Sequence, residues 1–445
     1  MKTIIKQLNI LTIFALIAMM GVGCTPQPTT FKIIKGEEGV YLPFIQVEKE
    51  RVEVEFNENK EFNLDVTGFE TPFTVRYHAG GKMKNAYVSA GSSQVIILSK
   101  TDAQHTGDNA AYAEYLNARK VAQAELLSTD GVTEAIAKVR AIIKQNIEEL
   151  HSHDLGDVFN ALQETNFTYL GGIKFMSWLK NLPNVKELGD DDASIQFVTD
   201  LLSKKGVMTP TYQDYAGAAI PFLAVRKLDE PWGYDEYIEA VIKMTVNTVE
   251  RDGGKDQMIN YYIGRHIKYV GVNGVKPVVE LARTKITNPE ELEKLNTLYA
   301  KWEHLEPGNK VPNWTFKSID DKEVSLSDFK GKYVYIDLWA TWCTPCVKEI
   351  PYIQELEKEF HGQDIVFVGI SRDEDVEKWK NKVVKDNLQG IQVNEGGNVE
   401  FANFLNITSI PRFVLIGKDG EMLNAVCSRP SDPKTRTLLT NLLKN

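Results

Sequence analysis

Apolar and polar residues alternate along much of the first hundred residues of the chain, and turn-forming residues separate the alternating runs. A period of two places successive side chains on opposite faces, as in a half-buried β-strand. We therefore predict a β-rich domain over residues 31–105, in the form of a small β-sandwich. Its strands are expected at 31–34, 41–45, 52–56, 62–66, 73–77 and 95–98.

The pattern becomes helical between residues 106 and 306. Ile136, Val139 and Ile143 follow the three-to-four-residue spacing of an amphipathic helix. Pro307-Gly308 disfavours helix continuation and marks the end of this region. We predict an α-helical domain over 106–306, with helices at 109–128, 132–150, 157–164, 170–182, 193–204, 234–250, 256–270 and 289–304.

Strands and helices alternate in the remaining residues. Strands are predicted at 332–339, 364–371, 412–416 and 421–426, and helices at 345–361, 374–386 and 432–443. This order is typical of an α/β unit, here with mixed pairing in its sheet. The predicted fold class is multidomain, with a β-sandwich-like region, a central α-helical region and a C-terminal α/β domain.

Composition narrows the classes of protein further. The 445 residues are 43% hydrophobic and 25% charged, as in ordinary globular domains, so a disordered chain is excluded. The formal net charge is −10 and there is no basic block, which argues against binding to nucleic acid. No cysteine lies between Cys24 and Cys343, so a small disulfide-framework domain is excluded as well.

The N-terminal residues have the pattern of an export signal. Two lysines precede an apolar run over 10–22, which is too short to cross a bilayer. The small residues before Cys24 then resemble the lipobox of bacterial lipoproteins, with Gly21 where that family has Leu. The resemblance implies a signal peptide over 1–23, lipidation of Cys24 and a tether over 24–30. A plain cleaved signal peptide is the alternative.

Cys343 and Cys346 form a CxxC motif that follows a buried-strand pattern and opens a predicted helix. The free N–H groups and the dipole at a helix N-terminus stabilise a thiolate, which favours Cys343 as the attacking sulfur. Cys346 lies one turn further on and can close a disulfide with it. Half of a zinc site is the alternative, but the sequence has no second CxxC and no suitably spaced His pair. We therefore expect a redox dithiol and no metal.

The residues around this motif resemble the thioredoxin-like superfamily and, within it, the TlpA-type family of membrane-anchored bacterial disulfide reductases. The run 339–346, Trp-Ala-Thr-Trp-Cys-Thr-Pro-Cys, is similar to the family's active site, and 311–316 is similar to its N-terminal hairpin. Residues 408–411, Thr-Ser-Ile-Pro, resemble its cis-proline loop. The resemblance implies a thioredoxin-like domain over 307–445, with an added helix and strand around 374–395.

The resemblance also implies roles for single residues. Pro411 would be cis and shape a substrate groove, with the backbone at Ile410 pairing with an extended substrate. Asp337 would accept the proton of the resolving thiol, Cys346, because a desolvated carboxylate has a raised pKa. Glu349 would tune the pKa values of the two thiols or relay protons. The alternatives are a trans Pro411, a solvated Asp337 and a Glu349 on exposed helix surface.

Other reactive or charged residues have structural interpretations. Cys427 follows a predicted strand and is expected to be buried and inert, with a third redox thiol as the alternative. The charged run 372–375 is expected to be a solvated helix start, and 190–192, Asp-Asp-Asp, to open a helix. His151 and His153 have no metal-ligating partners that the sequence reveals.

Together with the resemblance, the sequence predicts an enzyme: a membrane-tethered thiol–disulfide oxidoreductase of the cell envelope, facing the periplasm, that reduces protein disulfides without a cofactor. Its expected partners are disulfide-containing client proteins, a membrane thiol electron donor, and the membrane through the lipid anchor. A thiol peroxidase on a related fold is one alternative, although Ala340 lies where such sites have Thr or Ser. A client-binding module with a subsidiary redox domain is another, because residues 31–306 carry no catalytic pattern.

Overall fold

The structure, a computed structural model, describes residues 28–47, 50–67, 72–206, 208–226, 234–251, 253–397 and 399–444. The predicted signal segment, Cys24 and part of the tether lie outside the described residues. Within the described ranges, no helix has the length and apolar character needed to cross a membrane. The chain divides into two compact units, one of residues 1–125 and 138–171 and the other of 126–137 and 172–445.

The first unit contains two four-stranded sheets. Its strands are β1 (Thr30–Lys35), β2 (Phe44–Val47), β3 (Glu50–Glu53), β4 (Glu61–Leu64), β5 (Phe73–Ala79), β6 (Lys82–Val88), β7 (Ser93–Leu98) and β8 (Ala103–Gly107). They pair in the orders β4-β1-β7-β8 and β3-β2-β5-β6, antiparallel except for β1 with β7. Phe31, Ile45 and Val75 belong to a core to which both sheets contribute. The sequence pattern misses β6 and β8, because polar residues interrupt their alternation.

The helices between these sheets and residue 306 are α1 (Ala110–Ala118), α2 (Val132–His151), α3 (Asp157–Leu179), α4 (Ala193–Leu202), α5 (Pro210–Val225), α6 (Tyr234–Thr248), α7 (Gly254–Val270), α8 (Lys276–Arg283) and α9 (Pro289–Ala300). The prediction of separate helices at 157–164 and 170–182 is wrong, because α3 is continuous. Weak helix formers and glycines suggest a break, but packing overrides propensity. A Cβ atom at Gly171 would lie only 2.7 Å from Ile143 Cδ1, so glycine permits this close contact.

The sequence pattern also misses α5 and α8. Most faces of α5 are apolar, so it lacks the clear helical period of an amphipathic helix. Its Tyr212 and Tyr215 are fully buried. Thr209 caps it by accepting a hydrogen bond from the Tyr212 N–H over 3.1 Å, and Pro210 occupies the first turn. The predicted helix over 109–128 is limited to α1.

The C-terminal part is a mixed sheet flanked by helices. Its strands are β9 (Thr315–Ser318), β10 (Glu323–Ser325), β11 (Tyr333–Trp339), β12 (Ile365–Ser371), β13 (Ile391–Asn394), β14 (Arg412–Ile416) and β15 (Met422–Cys427), in the order β10-β9-β13-β12-β11-β14-β15. Its helices are α10 (Thr344–Glu359), α11 (Val376–Lys385), α12 (Val399–Phe404) and α13 (Pro433–Lys444). The central strand β11 is parallel to β12 and antiparallel to β14. The strands and helices predicted here are confirmed at nearly the predicted bounds, and α11 and β13 lie in the segment 374–395.

Helices of the second unit cover the β15 edge of this sheet. Asn273 Nδ2 donates to Leu423 O over 2.8 Å. Val426 packs so closely that a Cβ atom at Gly271 would lie 3.2 Å from its side chain. Gly271 also has a φ of +96°, a left-handed conformation that favours glycine. These contacts cover the β15 edge, which would otherwise be open to pairing with a strand of another chain.

Candidate active site

The CxxC motif lies where the central strand β11 leads into α10. Cys343 is the N-cap residue of α10, and Pro345 occupies the first turn. The Cys343 N–H donates to Ala340 O over 3.1 Å, and the Cys346 N–H donates to Cys343 Sγ over 3.2 Å. A disulfide joins Cys343 to Cys346, whose Cα atoms are 5.3 Å apart. The first sulfur therefore lies at the positive end of the helix dipole, where a thiolate is stabilised.

The surroundings of the two cysteines are apolar. Cys346 is only 1% exposed and Cys343 is 5% exposed. Trp339 and Trp379 are fully buried and belong to the apolar cluster around them. Trp342 differs, because 63% of its surface is exposed. The motif thus combines two sulfurs that are buried from solvent with one aromatic side chain, Trp342, that is exposed and can contact a partner.

The loop before β14 reaches the same cluster. The Ile410–Pro411 peptide bond is cis, as the resemblance implies. Ile410 packs against the apolar cluster that contains both cysteines. In the register of the sheet, Arg412 at the start of β14 lies opposite Leu338 near the end of β11. The proline loop and the CxxC loop therefore meet at the same end of two neighbouring strands, where β11 ends and β14 begins.

Asp337 is a buried carboxyl on β11. The residue is 7% exposed, and no side chain or backbone group in the described residues forms a hydrogen bond with its Oδ1. Burial raises the pKa of Asp337 well above that of an ordinary Asp, and the carboxylates of Glu349 and Glu357 raise it further. The alternative of a solvated Asp337 is wrong. A carboxyl of this kind can take up a proton that a thiol releases.

Glu349 faces inward from α10 and is 5% exposed. Its Oε2 accepts a hydrogen bond from the Ser431 N–H, and its Oε1 accepts one from Ser431 Oγ, both over 3.0 Å. Arg429 Nη1 lies 3.7 Å from the same carboxylate. The alternative of an exposed helix surface is therefore wrong for Glu349, which joins α10 to the segment after β15.

Asp373 is a buried residue that the sequence analysis misses. Its carboxylate accepts hydrogen bonds from the Thr341 N–H over 2.8 Å, Thr341 Oγ1 over 2.6 Å and Ser371 Oγ over 2.8 Å. Thr341 lies two residues before Cys343, so Asp373 holds the loop that carries the first cysteine. The expectation of a solvated charged run over 372–375 is wrong at this position. One signal was present: Asp373 follows β12, and the parallel strands β11 and β12 end at the same edge of the sheet.

Glu357, further along α10, is the second acid that the sequence analysis misses. Its Oε2 is buried and has no hydrogen-bond partner among the described residues. Burial raises the pKa of Glu357 to about 7. It lines a small cavity together with Asp337. Because its neighbours Glu355 and Lys358 are charged, the sequence pattern around Glu357 is typical of a solvent-exposed helix surface.

The remaining candidates have structural contacts. Cys427 is buried and forms no disulfide within the part of the chain that the structure describes, which confirms the predicted buried environment. Burial raises the pKa of its thiol. Asp192 caps α4 by accepting a hydrogen bond from the Ser194 N–H, as predicted for the start of a helix. His151 lies at an exposed position beside Glu164.

Comparison with known proteins identifies the class to which this fold and site belong. Residues 306–432 match the Redoxin family model, so the C-terminal sheet and its helices form a thioredoxin-like domain. The thiol-disulfide oxidoreductase ResA of Bacillus cereus is 32% identical over 129 residues, which are 29% of this chain and 73% of the relative. Its counterpart in Bacillus subtilis is 27% identical over 34% of this chain and 82% of its own length.

The chain belongs to this family of thiol–disulfide oxidoreductases and is an enzyme of that kind, which acts on substrates that contain disulfides. A Bacteroides vulgatus protein of known solution structure, assigned as a thiol-disulfide oxidoreductase, is 45% identical to it. That similarity covers 32% of this chain and 93% of the other, with a TM-score of 0.29.

Proposed function

We propose that this protein is an extracytoplasmic reductase that transfers electrons from the Cys343–Cys346 dithiol to the disulfides of client proteins. The observation that supports this most is the position of Cys343 at the N-cap of α10, with Cys346 buried one turn behind it. A helix N-terminus favours the attacking thiolate, while the second sulfur stays within reach to complete the exchange. The cis Pro411 beside this cluster supplies the rim of a groove.

In the reductive direction, the Cys343 thiolate attacks one sulfur of the client disulfide. A mixed disulfide forms, and the other client sulfur leaves as a thiolate. Cys346 then gives its proton to Asp337 and attacks Cys343 Sγ. The Cys343–Cys346 disulfide forms, the second client thiolate leaves, and the two client thiolates take up protons. Two electrons pass to the client, so another thiol must reduce the enzyme again.

The residues around the cysteines have supporting roles in this proposal. An extended client segment pairs with the backbone at Ile410 as an added strand, next to Pro411. Trp342 offers it an exposed aromatic surface. Glu349 acts on the chemistry through Asp337, because its charge raises the pKa of that carboxyl.

We propose the finer features of the N-terminal part from the sequence alone. The signal peptide over 1–23 is removed, Cys24 is lipidated, and the tether over 24–30 holds the enzyme on a membrane facing the periplasm. An integral membrane thiol carrier supplies the electrons. The β-sandwich of 31–105 and the helical domain of 106–306 then orient the thioredoxin-like domain of 307–445.

A client-binding module with a subsidiary redox domain is the second candidate, because helices of the second unit cover the β15 edge of the redox sheet. A full-length protein with both Cys343 and Cys346 changed to Ser separates the two candidates. Retained binding of a client by this variant would favour the binding module.

The reduction potential of the Cys343–Cys346 pair tests the proposed direction. The full-length protein is equilibrated in glutathione and dithiothreitol buffers, with Cys343→Ser as the control. We expect a value near that of thioredoxin, about −270 mV. A value near that of a strong oxidant, about −120 mV, would indicate that the protein forms disulfides in its clients instead of reducing them.

A further inference from the structure

A cavity of about 20 Å³ lies between the central sheet and α10. Asp337, Glu357 and Gln392 contribute polar atoms to its wall, and Trp339 and Ile350 contribute apolar ones. A space of this size holds one water molecule when polar groups are available to bind it.

Three polar atoms in this wall have no hydrogen-bond partner among the described residues: Asp337 Oδ1, Glu357 Oε2 and Gln392 Oε1. All three are acceptors when the carboxyls are ionised, so they cannot satisfy one another. The other end of the Gln392 amide is already engaged, because its Nε2 donates to Gln389 O over 2.8 Å. When both carboxyls are ionised this wall lacks a donor, which one water molecule or one bound proton would supply.

Gly369 makes room for the Gln392 amide in the cavity wall. In the parallel register, Gly369 of β12 lies between Asp337 of β11 and Gln392 of β13. A Cβ atom at Gly369 would lie 2.4 Å from Gln392 Oε1. The Gln392 amide therefore lies against Gly369, and a Cβ atom there would displace this amide from the cavity wall.

The cavity adjoins the cysteines on one side and approaches solvent on the other. Trp339 belongs both to its wall and to the cluster around Cys343 and Cys346, and Ile350 packs against that cluster. Asp337 is buried, whereas Glu357 is only half-buried. The titratable groups in the wall besides Glu357 are Asp337 and Tyr335 of β11, and the lining residues from β12, from 388–389 and from β13 are uncharged.

We propose that Glu357, through one water molecule in this cavity, receives the proton that Asp337 takes from the resolving thiol and passes it to solvent. The inference rests on the proposed function. Glu357 does not touch the reacting sulfurs, so it is a positioning and relay residue that acts through Asp337. Burial raises the pKa of Glu357 to about 7, which suits exchange with solvent near neutral pH.

The proton and electron changes balance. Cys346 loses a proton to Asp337 and attacks Cys343 Sγ in the mixed disulfide, the client sulfur leaves with the electron pair of the broken bond, and the enzyme disulfide forms. Asp337 then returns its proton to the cavity water, which transfers a proton to Glu357. Glu357 releases it to solvent, and both carboxyls regain the ionisation state they had before the step.

The test measures the resolving step alone. The reduced full-length protein is mixed with an equimolar dipyridyl disulfide, which releases one coloured thione when Cys343 attacks and a second when Cys346 resolves. The rate of the second release is followed against pH for wild type, Glu357→Gln and Gly369→Ala. Glu355→Gln, an exposed acid on the same helix, is the matched control.

We expect Glu357→Gln to slow the second release about tenfold near neutral pH, a small part of what a positioned acid–base group contributes. It should also remove the inflection near pH 7. Gly369→Ala should slow the second release while both carboxyls remain, and Glu355→Gln should leave the profile unchanged.

Superimposable profiles for wild type and Glu357→Gln would overturn the relay. A wild-type rate in folded Gly369→Ala would overturn the role of the water, and if that variant does not fold, Glu357→Gln decides alone. Failure of wild type to release both thiones, or their release by Cys343→Ser, would instead overturn the proposed function.

Discussion

Asp337→Asn is expected to make the thioredoxin-like domain progressively more stable than wild type as the pH rises. In the unfolded chain this carboxyl has a pKa of about 3.9. In the folded protein, burial raises this pKa well above that value, and the charges of Glu349 and Glu357 raise it further. Between the two pKa values the folded state binds a proton that the unfolded state does not, so wild type loses stability as the pH rises through this window.

The magnitude follows from linkage. One group that binds a proton only in the folded state changes the free energy of unfolding by about 1.4 kcal/mol per pH unit. Asn cannot ionise, so the difference between Asp337→Asn and wild type should grow by this amount per unit above about pH 4 and level off at the folded pKa. Glu357 is present in both proteins, so the difference isolates Asp337.

Hydrogen exchange on the full-length oxidised protein measures this difference. The amides of β12 and β14, which flank β11, are compared between the two proteins at each pH, so that intrinsic exchange rates cancel. Asp419→Asn, in an exposed turn, is the control. A free-energy difference that stays constant across the pH range would refute a raised pKa for Asp337 in the folded protein.

Three further outcomes follow from the same geometry. Cys346→Ser should accumulate a mixed disulfide between Cys343 and a client, detectable as added mass that dithiothreitol removes; its absence would argue against Cys343 as the attacking sulfur. Asp373→Ala removes three hydrogen bonds to a buried carboxylate, so it should lower the free energy of unfolding by about 3–5 kcal/mol. A melting temperature equal to that of wild type would exclude the structural role of Asp373 at Thr341. Cys427 should resist alkylation by iodoacetamide until the protein is denatured, and modification of the native protein at the rate of a free thiol would contradict its burial.

The pattern of the sequence is a good guide wherever local chemistry decides the structure. The apolar run of β11 and the helix start at Cys343 follow from residues that are close together in the chain, whereas the cis Pro411 is what the family resemblance implies. The prediction is weaker where local signals conflict with packing. The continuous helix α3 passes through Gly171, because close contact with Ile143 makes glycine the suitable residue there.

What the sequence by itself determined is the redox motif and the order of four strands and three helices of the thioredoxin-like domain, namely β11, α10, β12, α11, β14, β15 and α13. Period, caps and turn residues act over a few positions, so they are visible in the sequence. Only the tertiary structure decided the surroundings of the acids near that motif, and it added Asp373 and Glu357 to the two acids that the resemblance implies. Asp373 reaches Thr341, and Glu349 reaches Ser431 across 82 residues. Glu357 lines the same cavity as Asp337 only because α10 folds back over the sheet. The pKa of a carboxyl depends on burial and on neighbours brought together by folding, and neither is encoded in the adjacent residues.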